Sequence, residues 1–364
     1  ADGTGTVISA LDAFHLETEG NSTAALNWTG NITSSLGKAV HVSSAQGAVS
    51  STTTGTINAG GGGIYAFNGT ANSGANVAVN HTGALSAGGV GVEARSPSAA
   101  VSVRVLGNMQ TGAHGIFAES RGSQTVAVIQ DGAMETGNTA IDAYSSTGTV
   151  SVAQTGAVLS FGKGISAVTE GGSTVSVVKS GDLSATDDGI FASSATGQVI
   201  IRMQDGDLRA GGTGIAAENK GNDTVIVEMT GDVTAVEDAV RASSANGQVY
   251  ARVVGAVTSG GNGVVAMNTG SGEVGVIQTG DVTAEGDGLV AASATGNASV
   301  TLDGGKLVAK GHGFRLSGFG NLSANVGAGA SVLGGAGSAG VFFDTGLGNT
   351  VTNYGSIANA GGVD

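Results

Sequence analysis

The chain has no cysteine. No disulfide can staple it, and no thiolate is present to act as nucleophile or metal ligand. Proline occurs once in 364 residues, and the helix formers Glu, Lys, Arg and Gln are scarce. Basic residues are also few, at 14 Lys and Arg against 28 Asp and Glu. The resulting net charge of -14 argues against nucleic-acid backbones and anionic membranes, whose attraction requires basic patches. No stretch approaches the roughly 18 apolar residues that span a bilayer. The first residues show neither an initiating Met nor a charged segment followed by an apolar one, so a mature or trimmed fragment is expected.

What the chain has is glycine, 67 residues of it, together with abundant Val, Thr, Ser and Ala. That composition turns often and favours strands. Glycine and serine alone could mark a disordered linker, but a hydrophobic fraction of 40% requires buried apolar surface.

A recurrent glycine sets a repeat, with unit starts at Gly5, Gly30, Gly55, Gly83, Gly107, Gly132, Gly156, Gly181, Gly206, Gly231, Gly255, Gly280, Gly305, Gly329 and Gly355. Within a unit three short segments alternate with the strand period of two, as in Asp182 to Ala185, Gly189 to Ser194 and Val199 to Ile201. Two positions after the glycine the residue is always apolar from Ile57 through Leu307. Nine positions after it runs a second ladder, from Ile64 and Val92 to Leu289 and Phe314. Eleven after it runs an alanine ladder from Ala66 to Ala291. The third segment keeps apolar pairs such as Val126 with Val128 and Val225 with Val227.

A unit this small cannot bury its apolar side alone, but stacked units form continuous parallel sheets around one interior. The expected fold is therefore all-β: a single three-sided parallel β-helix, or solenoid, of about 14 coils with about 25 residues each. A propeller would need about 40 to 45 residues per repeat. One continuous domain over 1–364 is expected, with less regular coils at 1–54, regular coils at 55–328 and irregular ones at 329–364. Alternate units share a turn type, which points to duplication of a two-coil block.

The closing run from Gly348 to Ile357 (GNTVTNYGSI) and the recurring Gly-x-Leu-x-Ala and Gly-Ile-x-Ala units carry a resemblance. On these residues the whole chain resembles the passenger domains of bacterial autotransporters, of the pertactin-like right-handed β-helix class. The resemblance implies secretion across the outer membrane by a C-terminal translocator barrel, followed by display at the cell surface or release. The sequence stops at Asp364, shortly after the Gly355 unit has begun, so further helix downstream is expected. The lack of cysteine fits passage through the periplasm unfolded.

Two acidic features are candidate sites. Asp182, Asp207 and Asp232, followed by Asp281, recur one position after the start glycine in a column of spacing near 5 Å. Like charges so stacked cost free energy unless a cation, water or a cross-strand donor relieves them, and Ca2+ suits an all-oxygen set; the alternative is solvated turn carboxylates. In the next turn Asp187 with Asp188, Glu237 with Asp238, and Glu285 with Asp287 recur every second coil, about 10 Å apart. They could form a polar binding face for glycans, cations or a basic protein, or be solvated turns copied by duplication.

Catalytic readings fail on spacing. Gly311-His312-Gly313 with Asp187 and Asp188 is similar to polygalacturonase motifs. Paired-carboxylate hydrolysis needs its groups within about 5 to 9.5 Å, whereas His312 lies five coils, roughly 24 Å, from Asp188. His114 is eight coils from His312, and His15, His41 and His81 look scattered, so no histidine pair is expected to hold a metal. No G-x-S-x-G elbow occurs, and the G-x-G-x-x-G at Gly270, Gly272 and Gly275 leads into a strand and not a helix.

The expectation is a non-catalytic adhesin with no cofactor, extracellular or displayed at the bacterial surface. It would bind host glycans, matrix or cell-surface proteins, or its own copy through stacked Ser194, Asn219, Ser244, Asn268 and Ser293. The rivals are a polysaccharide-active β-helix enzyme and a structural stalk for a binding head elsewhere.

Overall fold

The computed structural model describes residues 1–69 and 74–361, and every regular element among them is a β-strand. The chain divides into two compact units, 1–181 and 182–364. Each is a parallel β-solenoid of three sheets, and together they hold about 14 right-handed coils of about 25 residues.

Each regular coil lays down a three-residue, a five-residue and a six-residue strand in that order, as in Leu183–Ala185, Ile190–Ser194 and Val199–Gln204. Strands of one type stack on one wall, in register with the coil before. In the first unit Leu85 faces Met109, Val92 faces Ile116 and Val101 faces Val126. In the second Leu208 faces Val233, Ile215 faces Val240 and Val225 faces Val249. The side-chain period of two turns these residues inward, where all twelve are buried. Full burial of such a side chain is worth about 1.5 to 3 kcal/mol, which only stacking can supply here.

Register reaches both ends of the chain. Val7 already faces Ile32 and Phe14 faces Val40, although the strands of this end coil are only partly buried. Ala24–Thr29, Ile32–Ser34 and Val40–Ser44 make a coil of the usual kind inside the stretch expected to be less regular. At the other end Gly348–Asn353 pairs with Asn321–Val326 but is exposed throughout.

The start glycine is required by the corner between the six-residue and three-residue walls. Gly107 and Gly255 hold φ of 143° and 144°, a region open to glycine alone, and an added Cβ would strike the carbonyl of the glycine one coil before. Gly206 and Gly355 depart from this, and in the coil of Gly206 the residue with positive φ is Asp205, at 52°.

Polar residues inside the fold serve its corners. Gln130 donates to the Gly107 carbonyl at 3.1 Å, and Gln154 to Gly132 at 3.2 Å and to Gln130 Oε1 at 2.8 Å. Lys179 is fully buried, and its ammonium donates to the carbonyls of Gly156, Ser180 and Gly181 at 2.8, 2.6 and 2.7 Å. Inward-turned corner carbonyls thus find donors where the fifth residue of the six-residue strand is Gln or Lys.

Candidate functional site

Both acidic columns lie in the second unit and work first as backbone caps. Asp182 Oδ1 accepts the N–H of Asp207 at 3.0 Å, Asp207 Oδ1 that of Asp232 at 3.1 Å, and Asp232 Oδ1 that of Ala256 at 2.7 Å. Asp281 does the same for Lys306 at 2.8 Å. In the first unit Asn31 and Asn108 make the equivalent bond to Thr56 and Ala133, so the position needs an acceptor oxygen and not a charge. Each stacked carboxylate thereby has a backbone N–H on its Oδ1.

The turn pairs divide their labour. The inner member of each caps the next coil: Asp188 accepts the N–H of Thr213 at 3.1 Å, Asp238 that of Asn262 at 2.8 Å and Asp287 that of His312 at 2.7 Å. The coils of Asn262 and His312 continue the column, because Asn262 Oδ1 accepts the N–H of Asp287 at 2.8 Å and His312 Nδ1 that of Ala339 at 3.0 Å. The outer members Asp187, Glu237 and Glu285 are exposed. Glu285 pairs with Lys310, and Glu237 accepts the Thr213 hydroxyl at 3.1 Å. Arg241 and Arg315 stand 3.8 and 3.4 Å from the second oxygens of Asp238 and Asp287. The acidic edge is therefore interleaved with its own cations.

His312 belongs to this column. Besides accepting the Ala339 N–H on Nδ1, its ring stacks on Phe342 at 4.4 Å. The Gly-His-Gly motif is a structural rung in contact with Asp287 and is not part of a site with Asp188. The stacked polar residues Ser194, Asn219, Ser244, Asn268 and Ser293 do not form an outward side either, since all five are buried. Ser244 and Ser293 accept the N–H groups of Gly247 and Gly296 at 2.9 Å, and Asn268 donates to the Gly247 carbonyl at 2.5 Å. A column turned inward to hold its own turns cannot pair with another copy.

The structure also gathers groups that look scattered in the sequence. His15 and His41 lie side by side in register on the five-residue wall of the first unit, with ring centroids 4.3 Å apart. Asp12, in the turn before that wall, places Oδ2 3.4 Å from His15 Nδ1 and 3.9 Å from His41 Nδ1. The expectation of isolated histidines fails here because Asp12, three residues before His15, returns beside it at the turn, and one coil brings in His41. Burial, with Lys38 and His15 close by, pushes the His41 imidazole below its ordinary range. Burial alone would raise the Asp12 carboxyl, but the Lys38 N–H and His15 outweigh it and hold it low. Of the other histidines, His81 is buried against Thr53, with Nδ1 2.9 Å from the hydroxyl.

A groove of about 490 Å³ runs along the outer face of the six-residue wall in the second unit. The outward column there steps from Tyr250 to Gly275 to Ser299 to Ser323 in register. Glycine leaves the next rung bare, and the Tyr250 ring reaches over it: a Cβ on Gly275 would lie 3.3 Å from the ring carbon Cδ2. Ile277 forms the neighbouring column, and Glu273, Asn297 and Asn321 line the turn edge. Asn297 donates to Glu273 at 3.3 Å, and the N–H of Asn321 donates to Asn297 Oδ1 at 3.0 Å. The result is an aromatic shelf beside amide and carboxylate groups. Periodicity gives no sign of it, because Tyr250 sits at an outward position where any residue satisfies the pattern.

Compared with known proteins, the chain matches no family model, no curated protein and no solved structure.

Proposed function

We propose that this chain is a non-catalytic binding protein displayed outside the cell, an adhesin of the autotransporter-passenger kind, whose solenoid presents the Tyr250 groove to neutral glycans. The observation that carries this reading is the shelf itself, a half-exposed tyrosine ring laid over a bare glycine with amide and carboxylate groups along one edge. An apolar ring face packs the C–H face of a sugar, while Asn and Glu hydrogen-bond its hydroxyls. The net charge of -14 favours neutral sugars over acidic polymers. The acidic turns contribute less, because their inner carboxylates cap backbone, two of these also face Arg241 and Arg315, and Glu285 pairs with Lys310. The autotransporter origin rests on the coil pattern and the GNTVTNYGSI run.

The test is a glycan and matrix-protein binding screen with the purified chain. Tyr250→Ala and Gly275→Val are expected to abolish binding, the second by filling the shelf. The triple variant Asp187→Asn, Glu237→Gln, Glu285→Gln is expected to leave it intact. Equal binding by the wild type and Tyr250→Ala would place recognition elsewhere. Turnover of polygalacturonan or a related polymer would replace the adhesin reading with the enzyme.

A further inference from the structure

We infer that Asp12, His15 and His41 form a binding site for one divalent transition-metal ion of the zinc class. The ligand atoms these residues offer all lie within 4.8 Å of one another. Three N or O ligands held tetrahedrally at about 2.0 to 2.1 Å from a zinc ion are about 3.3 Å apart. Asp12 Oδ2 is already 3.4 Å from His15 Nδ1 and 3.9 Å from His41 Nδ1. Side-chain rotation closes the remainder, because the backbone placement is fixed by the parallel pairing of the two histidine strands.

The surroundings match what such a site needs. Asp12 is oriented by its other oxygen, which accepts the Lys38 N–H at 2.8 Å. Glu17 Oε2 lies 3.7 Å from His15 Nε2, where a carboxylate can receive the outer ring N–H and fix the tautomer that leaves Nδ1 free to coordinate. The charged and titratable groups facing the cluster are Asp12, Glu17, Lys38 and Tyr65. The one cation among them, Lys38, is drawn over the Tyr65 ring at 4.0 Å. His15 is 51% exposed, so the fourth coordination position opens to water or to an incoming donor. Two imidazoles and one carboxylate select zinc, copper, nickel or cobalt over calcium and magnesium, which prefer all-oxygen shells.

The experiment is titration of the chelator-stripped chain with Zn2+ by calorimetry at neutral pH, paired with the visible spectrum at equimolar Co2+. One Zn2+ per chain, a Co2+ ligand-field band and a rise in Tm on adding Zn2+ are expected. His15→Ala or Asp12→Asn should weaken Zn2+ binding more than about tenfold, and His15→Ala with His41→Gln should remove both the band and the Tm rise. Asp187→Asn, in the other unit, serves as the unaffected control. Absence of the Co2+ band in the wild type overturns the site without recourse to variants, as does Zn2+ affinity within twofold of wild type in the double variant.

Discussion

Asp238 separates the two uses a turn carboxylate can have. Its Oδ1 accepts the Asn262 N–H at 2.8 Å and the Asn262 side-chain amide at 3.0 Å, while its Oδ2 stands 3.8 Å from Arg241. With the carboxylate only 15% exposed, Asp238→Ala leaves a half-buried N–H without an acceptor. An orphaned buried donor costs about 1 to 3 kcal/mol, and partial access of water puts this case near the lower end, about 1 to 1.5 kcal/mol. For a unit of this size that lowers Tm by about 2 to 6 °C. Asp238→Asn keeps the acceptor oxygen and loses only the Arg241 pairing. Arg241 is 52% exposed, so that loss is under about 0.5 kcal/mol. Urea denaturation followed by circular dichroism should therefore rank wild type and Asn together and Ala below both. Equal loss in Asn and Ala would mean that charge, and with it an external cation or basic partner, is what the position provides. No loss in either would remove the column as a structural element.

Three further outcomes follow from the same geometry. Gly107→Ala should destabilise by at least about 2 kcal/mol, because its φ of 143° excludes a side chain and the Gly83 carbonyl occupies the Cβ position; thermal unfolding measures it. His81 is buried, and desolvation, opposed by nearby hydrogen bonds, holds its pKa below 6.5. The unfolded chain then binds the proton more readily, so this contribution is fully present above about pH 6.5 and is lost as pH falls towards the folded pKa. His81→Gln should flatten that part of the Tm-against-pH curve, and an unchanged slope would show that another group sets it. Adding Ca2+ or a chelator should leave Tm unchanged in a chain whose zinc-class site is disabled by His15→Ala with His41→Gln, since backbone N–H groups already occupy the Oδ1 atoms of Asp182, Asp207 and Asp232. A calcium-dependent rise lost in Asp207→Asn would restore the cation ladder.

The walls were legible in the sequence because burial repeats. Leu183, Leu208 and Val233 face inward at the same step of every coil, and a strand period of two allows no other face for them. The corner glycines were legible for the same reason. Polar columns were harder to read, since a repeated Ser or Asn is equally compatible with an outward patch and with an inward cap. Ser244 and Asn268 are caps because a turn leaves N–H and C=O groups that a sheet cannot satisfy, and this demand is invisible in hydropathy. Gln154 and Lys179 illustrate the extreme case, in which polarity at a core position answers carbonyls turned into the interior.

Departures from the repeat are where specific chemistry enters this fold. A solenoid copies each feature from coil to coil, so a binding feature that obeyed the repeat would recur along the wall, as the capping aspartates do. The Tyr250 shelf and the Asp12, His15 and His41 cluster do the opposite. Tyr250 follows Ile226 and precedes Gly275 in its column, and its ring reaches over a neighbour that has no side chain. His15 and His41 are followed in theirs by Tyr65 and Glu93, so the imidazole pair occurs once in that run. Register then does the positioning: parallel pairing sets neighbours about 4.8 Å apart, close enough for two imidazoles to share one ion or for one ring to overlie one glycine. Two adjacent residues in an outward column can thus be brought together without any change to the core residues of the same strands.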